Sequence, residues 1–354
     1  MRINNICKAY SFAVLVLSVM VLSGCTQVSF YSQGAIGHTK LMAKRQTISS
    51  VLIKSQDETL KRQLLLSQQI LAFAHTELAL PDTKSYRSYV ALKDDFPVWN
   101  VVAAQEFSLR AESWCYLVIG CANYRGYFKR KRALAYAEKL KAKGLETHVG
   151  GAIAYSTLGW FRDPILSSML AYGDLYLAET LFHELAHQQL YLNNWTELNE
   201  SFATVVANEG MRRWLADKSP QQWSEFRAGQ RADDDFAQLV ATLKESLQAV
   251  YASDLDIEDK RLKKNALMSG FKGKYEQLKQ QQWNNRGWYD NWVNQPLNNA
   301  RLVAYSNYQS YVPELEALLK ACNNSLPRFY NAVEKLDVKI LSVTEGKELP
   351  KSCS

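Results

Sequence analysis

Among the 354 residues, the stretch Phe182–His183–Glu184–Leu185–Ala186–His187–Gln188 most restricts what this chain can become. An α-helix turns once per ~3.6 residues, so His183 and His187, four apart, stand one above the other on a single face. Two imidazoles placed this way can address one point about 2.0–2.1 Å from each ring, the Zn–N distance. Glu184 lands beside that point, where a carboxylate can take a proton from an activated water. Leu175, Leu177, Ala178, Leu181, Phe182, Leu185, Ala186, Leu190 and Leu192 surround these polar groups with apolar ones. A helix that is hydrophobic nearly all round lies in a core, and buried imidazoles and carboxylates need partners there. A pair of satisfied core histidines is the plain alternative. The chain has only five histidines, and two of them fall at this spacing with the glutamate in register, which favours one bound Zn2+ per chain.

A hydrolytic zinc site keeps one position for water and therefore takes a third protein ligand. Glu200 follows His187 by thirteen positions, Glu197 lies one turn earlier on the same face, and Glu209 is a further candidate. The pair His183–Glu184–Leu185–Ala186–His187–Gln188 and Asn199–Glu200–Ser201–Phe202–Ala203 resembles the two-part signature of gluzincin aminopeptidases. That resemblance implies Glu200 as the third ligand. Twelve residues separate it from His187, fewer than in the large gluzincins, so the connection must be tight. A wider resemblance rests on Tyr124–Arg125–Gly126–Tyr127–Phe128, Ala154–Tyr155–Ser156–Thr157–Leu158–Gly159–Trp160–Phe161 and Asn298–Asn299–Ala300–Arg301–Leu302 together with the two zinc motifs. Across most of its length the sequence is similar to a family of bacterial lipoproteins described as predicted aminopeptidases. The resemblance implies a metallopeptidase with a peptide substrate.

The N-terminus fits export. Arg2 and Lys8 precede an apolar run from Ser11 to Val21 that is too short to span a bilayer comfortably. Leu22–Ser23–Gly24–Cys25 looks like a bacterial lipobox, which makes residues 1–24 a signal peptide and Cys25 an acylated first residue anchored in a membrane. Residues 25–39 then read as lipidated terminus and tether, and 40–354 as the catalytic domain. Thr26, not an aspartate, follows the cysteine, which points to the cell envelope and the periplasmic face of the outer membrane. In that oxidising compartment Cys115, Cys121, Cys322 and Cys353 are disulfide candidates, with three possible pairings. The net charge of +7 falls to +5 once Arg2 and Lys8 leave. No basic block interleaves with aromatics, so nucleic acid is excluded as a partner.

Along the chain, residues 40–75 show apolar recurrence at three and four without glycine or proline, a helix pattern. A second helix is expected at 85–93, and 97–112 reads equally as strand or helix. Residues 129–143 predict a helix stopped by Gly144. Thr147–Tyr155 predicts a strand. In gluzincins an edge strand at this position pairs with the substrate backbone, and Gly150, Gly151 and Ala152 would suit such an approach. Tyr155 and its neighbours could line a pocket or close a core. Two apolar stripes separated by Ser253–Asp254–Leu255–Asp256 predict a helical hairpin at about 228–282. Trp283, Trp288, Tyr289 and Trp292 read as a packed loop in preference to a sugar or peptide platform.

The expected fold is α+β and mainly helical, a zincin-like domain with a small sheet beside the active helix. The expected chemistry is peptide hydrolysis with Zn2+ on His183, His187 and Glu200 and with Glu184 as proton carrier. Tyr308, and after it Tyr155, are candidates for stabilising the oxyanion, and Asn199 for orienting a ligand. An aminopeptidase also needs acids for the free α-amine; the strand offers none, leaving Glu197 or Asp163. The alternatives are a zinc endopeptidase, or a non-catalytic envelope lipoprotein with a structural zinc. Glu184 argues against the latter, since a purely structural site has no use for it.

Overall fold

The structure, a computed structural model, describes residues 29–116, 120–157, 161–193, 195–216, 218, 220–305, 311–336 and 353. Cys25 and Tyr308 lie outside them. The chain begins with helix α1 (29–42), the short strand β1 (Gln46–Thr47), α2 (Ile48–Lys54) and α3 (Glu58–Leu78). Five strands follow: β2 (Ser88–Val90), β3 (Val98–Ala104), β4 (Trp114–Tyr116), β5 (Gly120–Ala122) and β6 (Arg125–Tyr127). Next come α4 (Arg130–Lys141), β7 (Glu146–Ala152), β8 (Ile165–Leu166) and α5 (Ser167–Leu170). Two helices, α6 (Asp174–Gln189) and α7 (Thr196–Ala216), occupy the centre of the sequence. The long pair α8 (Pro220–Ala252) and α9 (Ile257–Gln282) precedes α10 (Asp290–Val293), α11 (Asn299–Tyr305), α12 (Val312–Ala321) and α13 (Leu326–Glu334). The class is α+β and mainly helical. No described helix is long and apolar enough to cross a membrane.

Three small sheets have the orders β1-β2-β8, β6-β3-β7 and β4-β5. β7 is the outer strand of its sheet and runs antiparallel to β3, with Asn100 opposite Gly150 and Trp99 opposite Gly151. The main core joins α3, α6, α7, α12 and α13, and fully buries Leu64, Ile70, Leu181, Phe182, Phe202 and Phe329. A second core holds the α8–α9 hairpin around Phe236, Leu247, Phe271 and Tyr275. A third packs α4 on the β3–β6 face through Val101, Ala133 and Ala137. Residues 253–256 break the hairpin, where the Asp256 side chain accepts from the Asp259 amide to start α9.

Several elements differ from the sequence expectation. The helix read across 40–75 is interrupted twice by N-caps. Thr47 accepts from the Ser50 amide to begin α2, and Asp57 from the Leu60 amide to begin α3. Residues 85–93 form no helix. Tyr86 sits at φ +60, which ends helical propagation, and β2 then pairs in parallel with β8. Within 97–112 the strand reading holds only to Ala104. Residues 29–39, read as part of a tether, are helical and docked. Gln33 donates to the Gly126 carbonyl and accepts from the Phe128 amide, and Phe30 stacks on Tyr116. The structure pairs Cys115 with Cys121 and Cys322 with Cys353.

Candidate metal centre

Gly173, at φ +92, turns the chain into α6, and Arg62 clamps the first-turn carboxylate of Asp174 with two hydrogen bonds. Leu177, Ala178, Leu181, Phe182, Leu185 and Ala186 bury the core side of the helix, His187 is buried with them, and His183 and Glu184 stay half-buried. Asn199 then makes the tight connection to α7. Its Oδ1 accepts from the Leu192 amide at 2.8 Å and its Nδ2 donates to the Leu192 carbonyl at 2.7 Å. Asn199 is therefore a loop clamp, and the next residue, Glu200, is what reaches the histidines. Further along α7, Gly210 lets Leu78 and Phe182 approach the helix backbone; a Cβ there would lie 2.8 Å from either side chain.

His183 Nε2 and His187 Nε2 are 3.2 Å apart, and Glu200 Oε2 lies 3.2 Å from the first and 3.6 Å from the second. Two Zn–N or Zn–O bonds of ~2.05 Å at a tetrahedral angle subtend an edge of about 3.3–3.4 Å. The triangle therefore has the size a single zinc needs, and its N2O donor set suits that ion. These three are the candidate metal-ligand group among the described residues. His187 is 7% exposed, whereas His183 and Glu200 remain 23% and 21% exposed, so one side of the triangle is open to solvent. Catalytic zinc sites take three protein ligands and leave a position open, whereas structural ones are closed by a fourth.

The three groups are also coupled electrostatically. Burial alone would raise the Glu200 pKa, but hydrogen bonds from His183 and His187 overcome it and hold the carboxylate down at about 2. Burial pushes His187 down, and Glu200 and then Glu184 overcome that, leaving its pKa above the ordinary value. His187 Nδ1 is buried without a hydrogen-bond partner among the described residues.

Tyrosines ring this centre. Tyr124 exposes part of its ring, yet enclosure of its hydroxyl, followed by the charges of Glu200, Tyr191 and Glu184, pushes its pKa up to about 12. The Tyr191 ring lies 6.2 Å from that of His187, and burial and then Glu200 raise its pKa. Tyr86, 1% exposed, feels burial first and then Glu184 and Asp163, which raise it strongly. Glu179, one turn before His183, has its pKa pushed up to about 7 by burial and then by Asp233 of α8. Neither Glu179 nor Asp233 forms an ion pair among the described residues; Asp233 accepts from the Tyr289 hydroxyl at 2.5 Å.

Other sequence candidates lie elsewhere. The Tyr155 hydroxyl meets His38 Nδ1 at 3.2 Å and its ring packs on Phe128, so it closes the α1 contact, not the metal cleft. Gly151 does need its missing Cβ, but because the Phe96 ring sits 2.1 Å from where one would be. Ala152 continues β7 opposite Val98, and the Asn298 side chain caps the Thr147 carbonyl of the same strand. Glu209 is neutralised by Arg212 and Arg213, and Glu197 is exposed. Asp163 is fully buried, accepting from the amide and hydroxyl of Thr157. Burial raises its pKa to about 6. Tyr124, Tyr191 and Glu179 were missed. Two had a signal: Glu179 and Tyr191 stand four residues before His183 and four after His187, on the same helical period.

The model of a protein family described as "Putative aminopeptidase" matches residues 29–344. No curated protein and no solved structure matches the chain.

Proposed function

The chain belongs to that aminopeptidase family, and from this premise we propose that it is a zinc-dependent peptidase of zincin-like architecture, removing residues from free peptide N-termini. The observation that carries the reading is the convergence of His183, His187 and Glu200 with Glu184 next in sequence to the first ligand. Zinc bound there would supply Lewis acidity, polarising the scissile carbonyl and lowering the pKa of a water toward ~7. Glu184 takes the proton of the attacking water and passes it to the leaving nitrogen. Tyr124, whose hydroxyl stays protonated at neutral pH and feels the charges of Glu200 and Glu184, would donate a hydrogen bond to the developing oxyanion. Glu179 and Asp233, which form no ion pair with any described residue and act on each other by charge, would suit a substrate α-ammonium.

The envelope address is part of the proposal. Cys25, acylated after removal of residues 1–24, would hold the domain at the membrane, and the docked helix α1 would keep it close. The deciding experiment compares wild type with Glu184→Gln on free and N-acetylated peptides while measuring bound zinc. The expected result is about one zinc in both proteins, turnover of free N-termini by wild type alone, and acetylated peptides left intact. Cleavage of acetylated peptides would make it an endopeptidase, and zinc without Glu184-dependent turnover would leave only a binding protein.

A further inference from the structure

The tryptophan-rich segment after α9 is divided by the fold in a way its sequence does not show. Trp283 is buried and donates through Nε1 to Asp235. Tyr289 stacks on Phe236 at 3.8 Å between centroids, and Trp292 meets the same ring edge-on at 5.2 Å. Trp288 alone of the four is left at the surface, 39% exposed, although burying an indole is among the largest gains a core can make.

It is nonetheless held in place. Its ring rests edge-on against Trp283 at 5.5 Å, and the Arg286 guanidinium lies 5.6 Å from its centroid. The turn before it is built from Asn284 and Asn285 in the left-handed region. Gly287 follows, where a Cβ would lie 2.0 Å from the Asp290 carboxylate. That carboxylate is itself fixed by the Tyr275 hydroxyl and Lys279. An exposed aromatic on a frame this constrained is preorganised, and preorganisation lowers the entropic cost of receiving a ligand.

Trp288 forms one wall of a cavity of about 690 Å3 between the start of α8 and the end of α9. Around it stand Glu225, Arg231, Asp234 and Arg286. Glu225, Arg231 and Asp234 make no hydrogen bond or ion pair with any described residue, and Asp235 is spent on Trp283. Asp235 keeps its charge, so three carboxylates face two guanidinium groups, and the single excess negative charge repels a phosphate or a nucleic acid yet is too little to hold a polycation. One aromatic face is too little for a lipid or an apolar helix. The remaining chemistry is a ligand with an apolar face to lie on an indole and a rim of hydroxyls. Such a ligand can donate to carboxylates and accept from guanidinium groups at once. The geometry points to a neutral oligosaccharide as the occupant. The site shares no residue with the metal centre, so it does not rest on the peptidase reading.

The test uses the full-length chain and two neutral probes, chitotetraose and cellotetraose, followed by saturation-transfer NMR and calorimetry. At least one should bind, with affinity falling roughly tenfold or more in Trp288→Ala and in Asp234→Asn. Glu184→Gln should bind it as wild type does. Absence of binding at millimolar sugar overturns the inference, as does binding that neither variant weakens. Should Trp288→Ala fail to fold, Asp234→Asn decides alone, because its carboxylate makes no hydrogen bond or ion pair with a described residue. An uncharged acetylated peptide binding in place of both sugars, and lost in these variants, also overturns it.

Discussion

Zinc should raise the melting temperature of this protein by an amount that can be worked out in advance. A ligand at a hundredfold its Kd stabilises the folded state by about 2.7 kcal/mol. Unfolding entropy near ~2.1 cal/mol/K per residue, over 354 residues, gives roughly 0.7 kcal/mol/K. The predicted rise is therefore about 4 °C, read by calorimetry on the same preparation before and after removing zinc with a chelator. It should vanish separately in His183→Ala, His187→Ala and Glu200→Ala, each compared with itself so that any loss of intrinsic stability cancels. The rise should also depend on pH. His187 binds its proton more tightly than an ordinary histidine, because Glu200 and Glu184 outweigh its burial. Below that pKa, zinc must displace the proton. Each displaced proton then weakens binding about tenfold per pH unit, near 1.4 kcal/mol or roughly 2 °C at fixed zinc. A rise that persists in all three variants, or that does not shrink on acidification, would refute the argument that these three side chains hold the metal.

Three further outcomes follow from the geometry. Tyr124→Phe should lower kcat by roughly a hundredfold to a thousandfold with little change in KM, the mark of a donor that acts on the oxyanion; an equal loss confined to KM would reassign it to substrate binding. Asp163 is fully buried, with a folded pKa of about 6 against an ordinary 3.8. Its protonated form is therefore favoured on folding: the stability is fully present below pH ~3.8 and is lost as pH rises through ~6, by about 3 kcal/mol. In zinc-free protein, Asp163→Asn should abolish this decline while keeping both contacts to Thr157, and parallel urea-melt profiles from pH 4 to 8 would count against it. Cys353→Ser opens a loop of 31 residues and should cost up to about 3–4 kcal/mol, measured as a fall of roughly 5 °C in Tm under non-reducing conditions.

What could be read from the residues alone has a physical limit, visible at the centre itself. His183, Glu184 and His187 depend only on the helical period, and Glu200 follows once a short connection is assumed. Each step uses contacts within about twenty residues. The α8–α9 hairpin was legible for the same reason, with two apolar stripes and a polar break. The caps at Thr47 and Asp57 were local signals too, but apolar recurrence ran through them and hid the interruptions. By contrast, the 85–93 segment takes its state from β8, some 75 residues later, which no local propensity reports. The charge of Asp233 reaches Glu179 from 54 positions away, and Tyr124 arrives from the bend between β5 and β6.

Gly151 shows why even a correct local inference can be assigned to the wrong cause. A glycine in a strand implies that something comes close, and something does. Here the visitor is Phe96, wedged beneath Trp99, so the room was already filled by the protein's own side chain. Gly287 gives the same signal with the opposite consequence. Asp290 takes the space beside its Cα, and this lets Trp288 stand rigid and uncovered at the rim of a cavity. In both cases the residue type states the constraint, and only the tertiary neighbour decides whether a ligand is left any space. For β7, the outer strand of its sheet, Phe96 closes the face at Gly151 that the residue type alone would have left open.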